Sequence, residues 1–196
     1  MKEFFRKNLN VPNTLSFIRL LLVPVYVLLF FDGKVTAALI VFIVASITDC
    51  LDGHIARKYH LITDVGKLLD PLADKLLVVS SMFCLAIGSP AQAAVFPWAA
   101  VIILLAKELM MILGGLYLLK RGVVVASVMA GKVAHCVCLA AIIAGHFHAF
   151  WLKVCAGWPL PLDVLLVWLA VAMTLYALGV YATNAVKVLK SGGKWE

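Results

Sequence analysis

The chain is 196 residues long, 64% hydrophobic and only 14% charged, with a formal net charge of +7. So few polar side chains cannot cover a water-soluble domain of this size, which leaves a polytopic membrane protein. Period-2 alternation is absent, which excludes a membrane barrel, and no soluble basic region exists that could bind nucleic acid.

In chain order, residues 1–12 (MKEFFRKNLNVP) alternate basic and aromatic side chains and suit a short juxtamembrane helix on the cytoplasmic surface. Arg19 then interrupts the first apolar run and no small-residue cleavage site follows, so the run reads as a retained span rather than a signal peptide. Apolar runs of about 20 residues predict six transmembrane helices, at 13–32, 35–57, 68–88, 92–119, 123–150 and 160–190. Turn and interface residues mark the breaks: Asp32-Gly33, the basic stretch 57–67, Gly88-Ser89-Pro90, Lys120-Arg121-Gly122 and the Trp-Pro-Leu-Pro within 151–163. The expected fold is all-α, one membrane domain over 1–196.

In a six-span arrangement Lys2, Arg6, Lys7, Arg57, Lys58, Lys67, Lys120, Arg121, Lys187, Lys190 and Lys194 fall on one side. Only Lys34 and Lys153 fall on the other. Positive charge concentrates in the cytoplasm, so both termini are expected there, on the face that meets anionic lipid and phosphorylated substrates. The five cysteines lie in apolar context without metal-type spacing and read as core packing.

Against this background one segment stands out. Five of the ten acids (Asp49, Asp52, Asp64, Asp70 and Asp74) fall within residues 49–74, at the cytoplasmic ends of spans two and three. A carboxylate at membrane depth costs roughly 2.5–3.5 kcal/mol on insertion scales, so a cluster needs compensation, which divalent cations supply. Asp49 and Asp52 are i, i+3 and share a helix face. Gly53 and Ala56 carry almost no side chain and let a ligand or helix approach the backbone, while Arg57 can clamp a phosphate bidentately at the membrane surface. Gly66, Asp70 and Asp74 are spaced i, i+4, i+8 and form a stripe on span three. Antiparallel pairing of spans two and three would bring both stripes together. Oxygen-only donors favour Mg2+ or Mn2+, and four carboxylates can hold two such ions, neutralise a diphosphate and activate a leaving group. One carboxylate near an acceptor hydroxyl can serve as base.

The segment fits D-x2-D-G-x2-A-R-x8-G-x3-D-x3-D at every specified position. It resembles the signature of the CDP-alcohol phosphotransferase family, integral membrane enzymes of phospholipid synthesis. The resemblance implies a six-helix fold, a homodimer, a cytoplasm-facing site in a bacterial cytoplasmic membrane and a divalent-metal requirement. It further implies metal binding by Asp49, Asp52 and Asp70, with Asp74 close to the metals as general base. The CDP moiety would be received by Asp49, Asp52, Gly53, Ala56, Arg57, Gly66 and Asp70. The implied substrates are CDP-diacylglycerol and a small alcohol.

Smaller patches narrow the acceptor. Asn10-Val11-Pro12-Asn13-Thr14-Leu15-Ser16 with Arg19 and Pro24, Asp70-Pro71-Leu72-Ala73-Asp74-Lys75, Lys107-Glu108 and Gly131-Lys132 resemble bacterial members that use glycerol 3-phosphate. Arginine is more usual at position 107, and Lys-Thr where Ala134-His135 stands here. Cardiolipin-forming members share the first two patches, so phosphatidylglycerol stays open as acceptor. Arg19, Lys107 and Lys132 are cations in or near apolar spans and are expected to bind acceptor phosphate; the alternative is snorkelling to the interface. Glu108 can pair with one of them. Lys67 and Lys75 flank the aspartates as phosphate contacts or solvated charges. His54, His60, His146 and His148 read as packing, loop or interface residues, and Gly114-Gly115, Ala126 and Ala130 as sites of close helix packing. A cation transporter would also carry intramembrane acids, but at midplane depth and in related halves of the chain, and neither is visible.

Overall fold

The computed structural model describes residues 11–58, 64–121 and 128–191. Residues 1–10 of the surface helix expected over 1–12, together with His60 and Ala126, lie outside them, and residues 11–12 open the first described helix. Seven helices follow in order: α1 (Val11–Phe31), α2 (Val35–Lys58), α3 (Asp64–Ile87), α4 (Trp98–Lys120), α5 (Met129–Gly145), α6 (His148–Val154) and α7 (Leu162–Ser191). The chain divides into two compact units, Met1–Ala94 and Val95–Glu196.

In the first unit α1 packs against both α2 and α3, which touch each other only sparsely among the described residues. Its buried stripe is Ser16, Arg19, Tyr26 and Phe30, at the 3- and 4-residue steps that keep one helix face inward. On α2 the matching stripe is Ala38, Phe42 and Ala45, and on α3 Ala73, Leu77, Ser81 and Cys84. Tyr26 stacks on Phe30 and tilts against Phe42, each with ring centroids 6.1 Å apart. Ser81 Oγ donates to the Leu77 carbonyl at 2.8 Å, and its side chain also hydrogen-bonds the Tyr26 hydroxyl, pinning α1 to α3. Both α2 and α3 thus seat on α1, and their contact with each other is sparse among the described residues.

The α1–α2 turn is closed by backbone bonds from Gly33 to Phe30 (3.1 Å) and Lys34 to Leu29 (2.9 Å). That pattern needs a left-handed residue just past the helix, supplied by Gly33 at φ +79°. On the exposed side Lys34 Nζ bonds Asp32 at 2.6 Å and holds that carboxyl below the usual range, first by the hydrogen bond and then by charge.

In the second unit α5 and α7 form the tightest pair, through small residues that let the backbones approach: Ala134, Cys138, Ala141 and Gly145 on α5, Ala170 and Ala177 on α7. Gly131 lies against the Tyr181 ring, whose hydroxyl accepts the Val128 N–H at 3.1 Å and so satisfies one amide at the start of α5. None of the described cysteines forms a disulfide.

The all-α expectation holds, with no strand among the described residues. The expected span at 123–150 is not one straight helix: α5 ends at Gly145 and α6 leaves it at 84°. No proline causes the break. Side chains donate to the last carbonyls of α5, His146 Nδ1–H to Ile142 O (2.8 Å) and Trp151 Nε1–H to Ala144 O (3.1 Å), the latter also accepting the Phe147 N–H (2.9 Å). His146, expected in a loop or at the interface, is therefore a buried helix-end partner.

Among the described residues three helices are long and apolar enough to cross a membrane, over Thr14–Phe31, Trp98–Lys120 and Leu162–Leu189, or four if α5 and α6 count as one bent span. Six long helices match the six expected runs. Within the described residues α2 is apolar from Val35 to Asp49. Asp64, Lys67, Asp70, Asp74 and Lys75 crowd the start of α3.

Candidate active site

Asp49, Asp52, Gly53, Ala56 and Arg57 all lie in the last three turns of α2, and Gly66, Asp70 and Asp74 in the first three of α3. The α2 stripe Ala38–Phe42–Ala45 continues in register through Asp49 to Asp52, and the α3 stripe runs back from Leu77 and Ala73 to Asp70 and Gly66. Helical periodicity thus puts Asp49 on the face of α2 that, one turn away, buries Ala45. The side chains of Asp52, Ala56, Arg57 and Asp70 lie outside the described residues, as do those of His54 and Lys67.

Among the described side chains the centre of the site is a pair. Arg19 Nη1 donates to Asp49 Oδ1 at 2.6 Å. The arginine side chain is 0% exposed and the aspartate 36%, so the cation is sealed and the carboxylate still reaches solvent. A carboxylate has two oxygens, and this bond engages one. Asp74 is half-buried beside Ala73, which is wholly buried against the interior of the unit.

No cluster of three or more His, Cys, Asp or Glu occurs among the described residues. Asp52 and Asp70, two of the four expected ligands, fall outside that search. The donor set that the helices carry here, carboxylates on two adjacent helix ends with one oriented by a guanidinium, fits a hard divalent cation in its chemistry.

The expected acceptor-binding residues part company. Arg19 bonds Asp49, and its side chain is wholly buried. Lys107, in mid-α4, bonds the neighbouring Glu108 at 2.6 Å, with side chains 19% and 31% exposed. Lys132, in the first turn of α5, is exposed. Gly114 and Gly115 have open space where a Cβ would stand. With Met110, Met111, Leu118, Tyr181 and others they line an apolar hollow of about 190 Å³ between α4 and α7.

A pair not anticipated from sequence lies elsewhere. His148, at the start of α6, bonds the wholly buried Asp163, near the start of α7, at 2.5 Å. An acid in the first turn of a helix is an ordinary capping signal, so nothing in the sequence marked Asp163 as buried.

A family model described as CDP-alcohol phosphatidyltransferase matches residues 9–176. A Bacillus subtilis protein named CDP-diacylglycerol–glycerol-3-phosphate 3-phosphatidyltransferase is 32% identical over 197 aligned residues, covering 93% of this chain and 98% of the relative. Proteins of the same name from Rickettsia typhi and Pseudomonas fluorescens are 50% identical over 72 residues and 41% over 80. The alignments cover only 40% and 41% of those two relatives' lengths.

Proposed function

Because the chain belongs to the CDP-alcohol phosphatidyltransferase family, we propose that it transfers the phosphatidyl group of CDP-diacylglycerol to the hydroxyl of glycerol 3-phosphate. The products are phosphatidylglycerophosphate and CMP. The observation that carries this reading is the complete aspartate pattern on two helix ends that share a seat on α1. The relatives named for the same reaction support the choice of acceptor.

In the reaction the acceptor oxygen bonds to the lipid-side phosphorus as the pyrophosphate P–O bond breaks and CMP departs. Asp74 takes the hydroxyl proton. Asp49, Asp52 and Asp70, with Asp74 nearby, would hold two Mg2+ or Mn2+ ions. When bound, these neutralise the diphosphate and stabilise the leaving CMP. Gly53, Ala56 and Gly66 leave room for the CDP moiety, beside Arg57, whose planar guanidinium suits a phosphate. Lys107 and Lys132 supply the cations that a dianionic acceptor requires. Most of the rate comes from positioning and charge neutralisation, as in phosphoryl transfer generally.

The protein works as an integral membrane enzyme of the bacterial cytoplasmic membrane, as a homodimer, with both termini and the site facing the cytoplasm. A donor with a soluble head and lipid tails needs a site open to both phases, which suits polar helix ends at the membrane surface.

The test is CMP release by purified protein from CDP-diacylglycerol with a panel of acceptors, with and without chelator. Turnover with glycerol 3-phosphate that stops on chelation is expected. Use of phosphatidylglycerol alone would move the assignment to cardiolipin formation, and no CMP release with any acceptor would remove the reading.

A further inference from the structure

The buried stripe of α1 is apolar or small except at one place. Ser16, Tyr26 and Phe30 fill their positions much as a helix interface does, whereas Arg19 puts a full guanidinium into the same face at 0% exposure. Burying an arginine is a poor way to gain stability, because a well-packed hydrophobic residue in its place is commonly as good or better. One partner is Asp49, 30 residues away on α2 and the first aspartate of the pattern. A dianionic acceptor arriving from water has no access to a side chain enclosed in this way.

We propose that Arg19 is a positioning residue for Asp49. By engaging Oδ1 it fixes the carboxylate and leaves Oδ2 as the oxygen for divalent cation, so it serves the reaction through Asp49 and does not touch the acceptor phosphate. The proposal rests on the reading of Asp49 as a metal ligand. A carboxylate that turns freely about its last bond must be ordered when a cation binds; one already held by a guanidinium has much of that ordering done. Arginine suits the task because its planar fork sets direction as well as charge. Partners that orient a metal ligand typically change metal affinity or activity 10–100-fold when removed.

Charge alone predicts the opposite sign. Taking a cation away from beside a metal site should tighten metal binding, so a loss of affinity can come only from lost orientation. The experiment measures Mn2+ binding to substrate-free protein in detergent, following the free-ion signal by electron paramagnetic resonance, for wild type, Arg19→Gln, Asp49→Asn and the double variant. Steady-state kinetics at saturating Mn2+ accompany it. Arg19→Gln is expected to weaken Mn2+ binding about 10–100-fold while the KM for glycerol 3-phosphate stays within about twofold. In the Asp49→Asn background the same substitution should change Mn2+ binding no further. Arg19→Lys, which keeps the charge but not the fork, should fall in between and carries the test if the glutamine variant does not fold. Unchanged or tighter Mn2+ binding in the Arg19 variants would overturn the proposal. So would a raised KM for glycerol 3-phosphate with Mn2+ binding intact, since that is the signature of direct acceptor contact. If Asp49→Asn alone bound Mn2+ as wild type does, the metal reading of Asp49 would fail first, and the positioning role with it.

Discussion

An amide at position 74 keeps the size of the Asp74 side chain but cannot take up a proton near neutral pH. Asp74→Asn is therefore expected to reduce turnover to near background while CDP-diacylglycerol still binds in the presence of metal; turnover like wild type would exclude Asp74 as base. The acceptor side rests on lysines in different circumstances. Lys107 has a carboxylate beside it in Glu108, whereas Lys132 is exposed at the start of α5. Losing a charge-assisted phosphate contact costs on the order of 1.5–3 kcal/mol, about ten- to hundredfold in affinity. Lys132→Ala should accordingly raise the KM for glycerol 3-phosphate by that factor and leave that for CDP-diacylglycerol nearly unchanged; equal weakening of both would mark a structural lysine. At this scale the aspartate pattern was fully legible, because its spacing is local to two helix ends. The partner of Arg19 was not. Position 19 announces a costly cation, but its meeting with Asp49 depends on how α1 crosses α2, which no spacing along one helix contains.

Helix ends show the same division between local and distant causes. Gly88 closes α3 with φ +83°, and a Cβ there would stand 2.8 Å from the Ala94 nitrogen and 3.0 Å from the Gln92 oxygen. Both obstacles are backbone and cannot swing aside, and the left-handed conformation is itself strained for other residues. Gly88→Ala should cost about 1–3 kcal/mol, read as a lower melting temperature in detergent; an unchanged melting temperature would show that the turn can relax. The sequence announced this end plainly, through Gly88-Ser89-Pro90. The break between α5 and α6 carried no such announcement. Residues 123–150 read as one apolar run, yet α5 ends at Gly145, where two side chains, His146 and Trp151, fold back onto its last carbonyls. Tryptophan and histidine near a span end suggest an interface anchor first, so the bend had no distinct local signal.

For the whole molecule, composition was enough to establish a helical membrane protein, and the six apolar runs correspond to the six long helices. Composition was not enough to say whether α2 and α3, which carry the polar chemistry at their joined ends, both cross. The count decides where that chemistry faces. With the N-terminus in the cytoplasm, six crossings return the 59–63 connection to the cytoplasm. If α2 and α3 did not cross, leaving four spans, the same connection would face outward while both termini stayed inside; three spans would also put the C-terminus outside. The 59–63 segment is therefore the position that discriminates. Arg57, Lys58 and Lys67 flank it, and positive charge favours the cytoplasmic side. In a variant whose five cysteines are replaced by serine, Thr63→Cys is expected to react with a membrane-impermeant maleimide in inverted vesicles and to be protected in intact spheroplasts. The reverse pattern would place the aspartates on the outer face, away from a phosphorylated acceptor supplied by the cytosol, and both the six-span arrangement and the cytoplasmic site would have to be abandoned together.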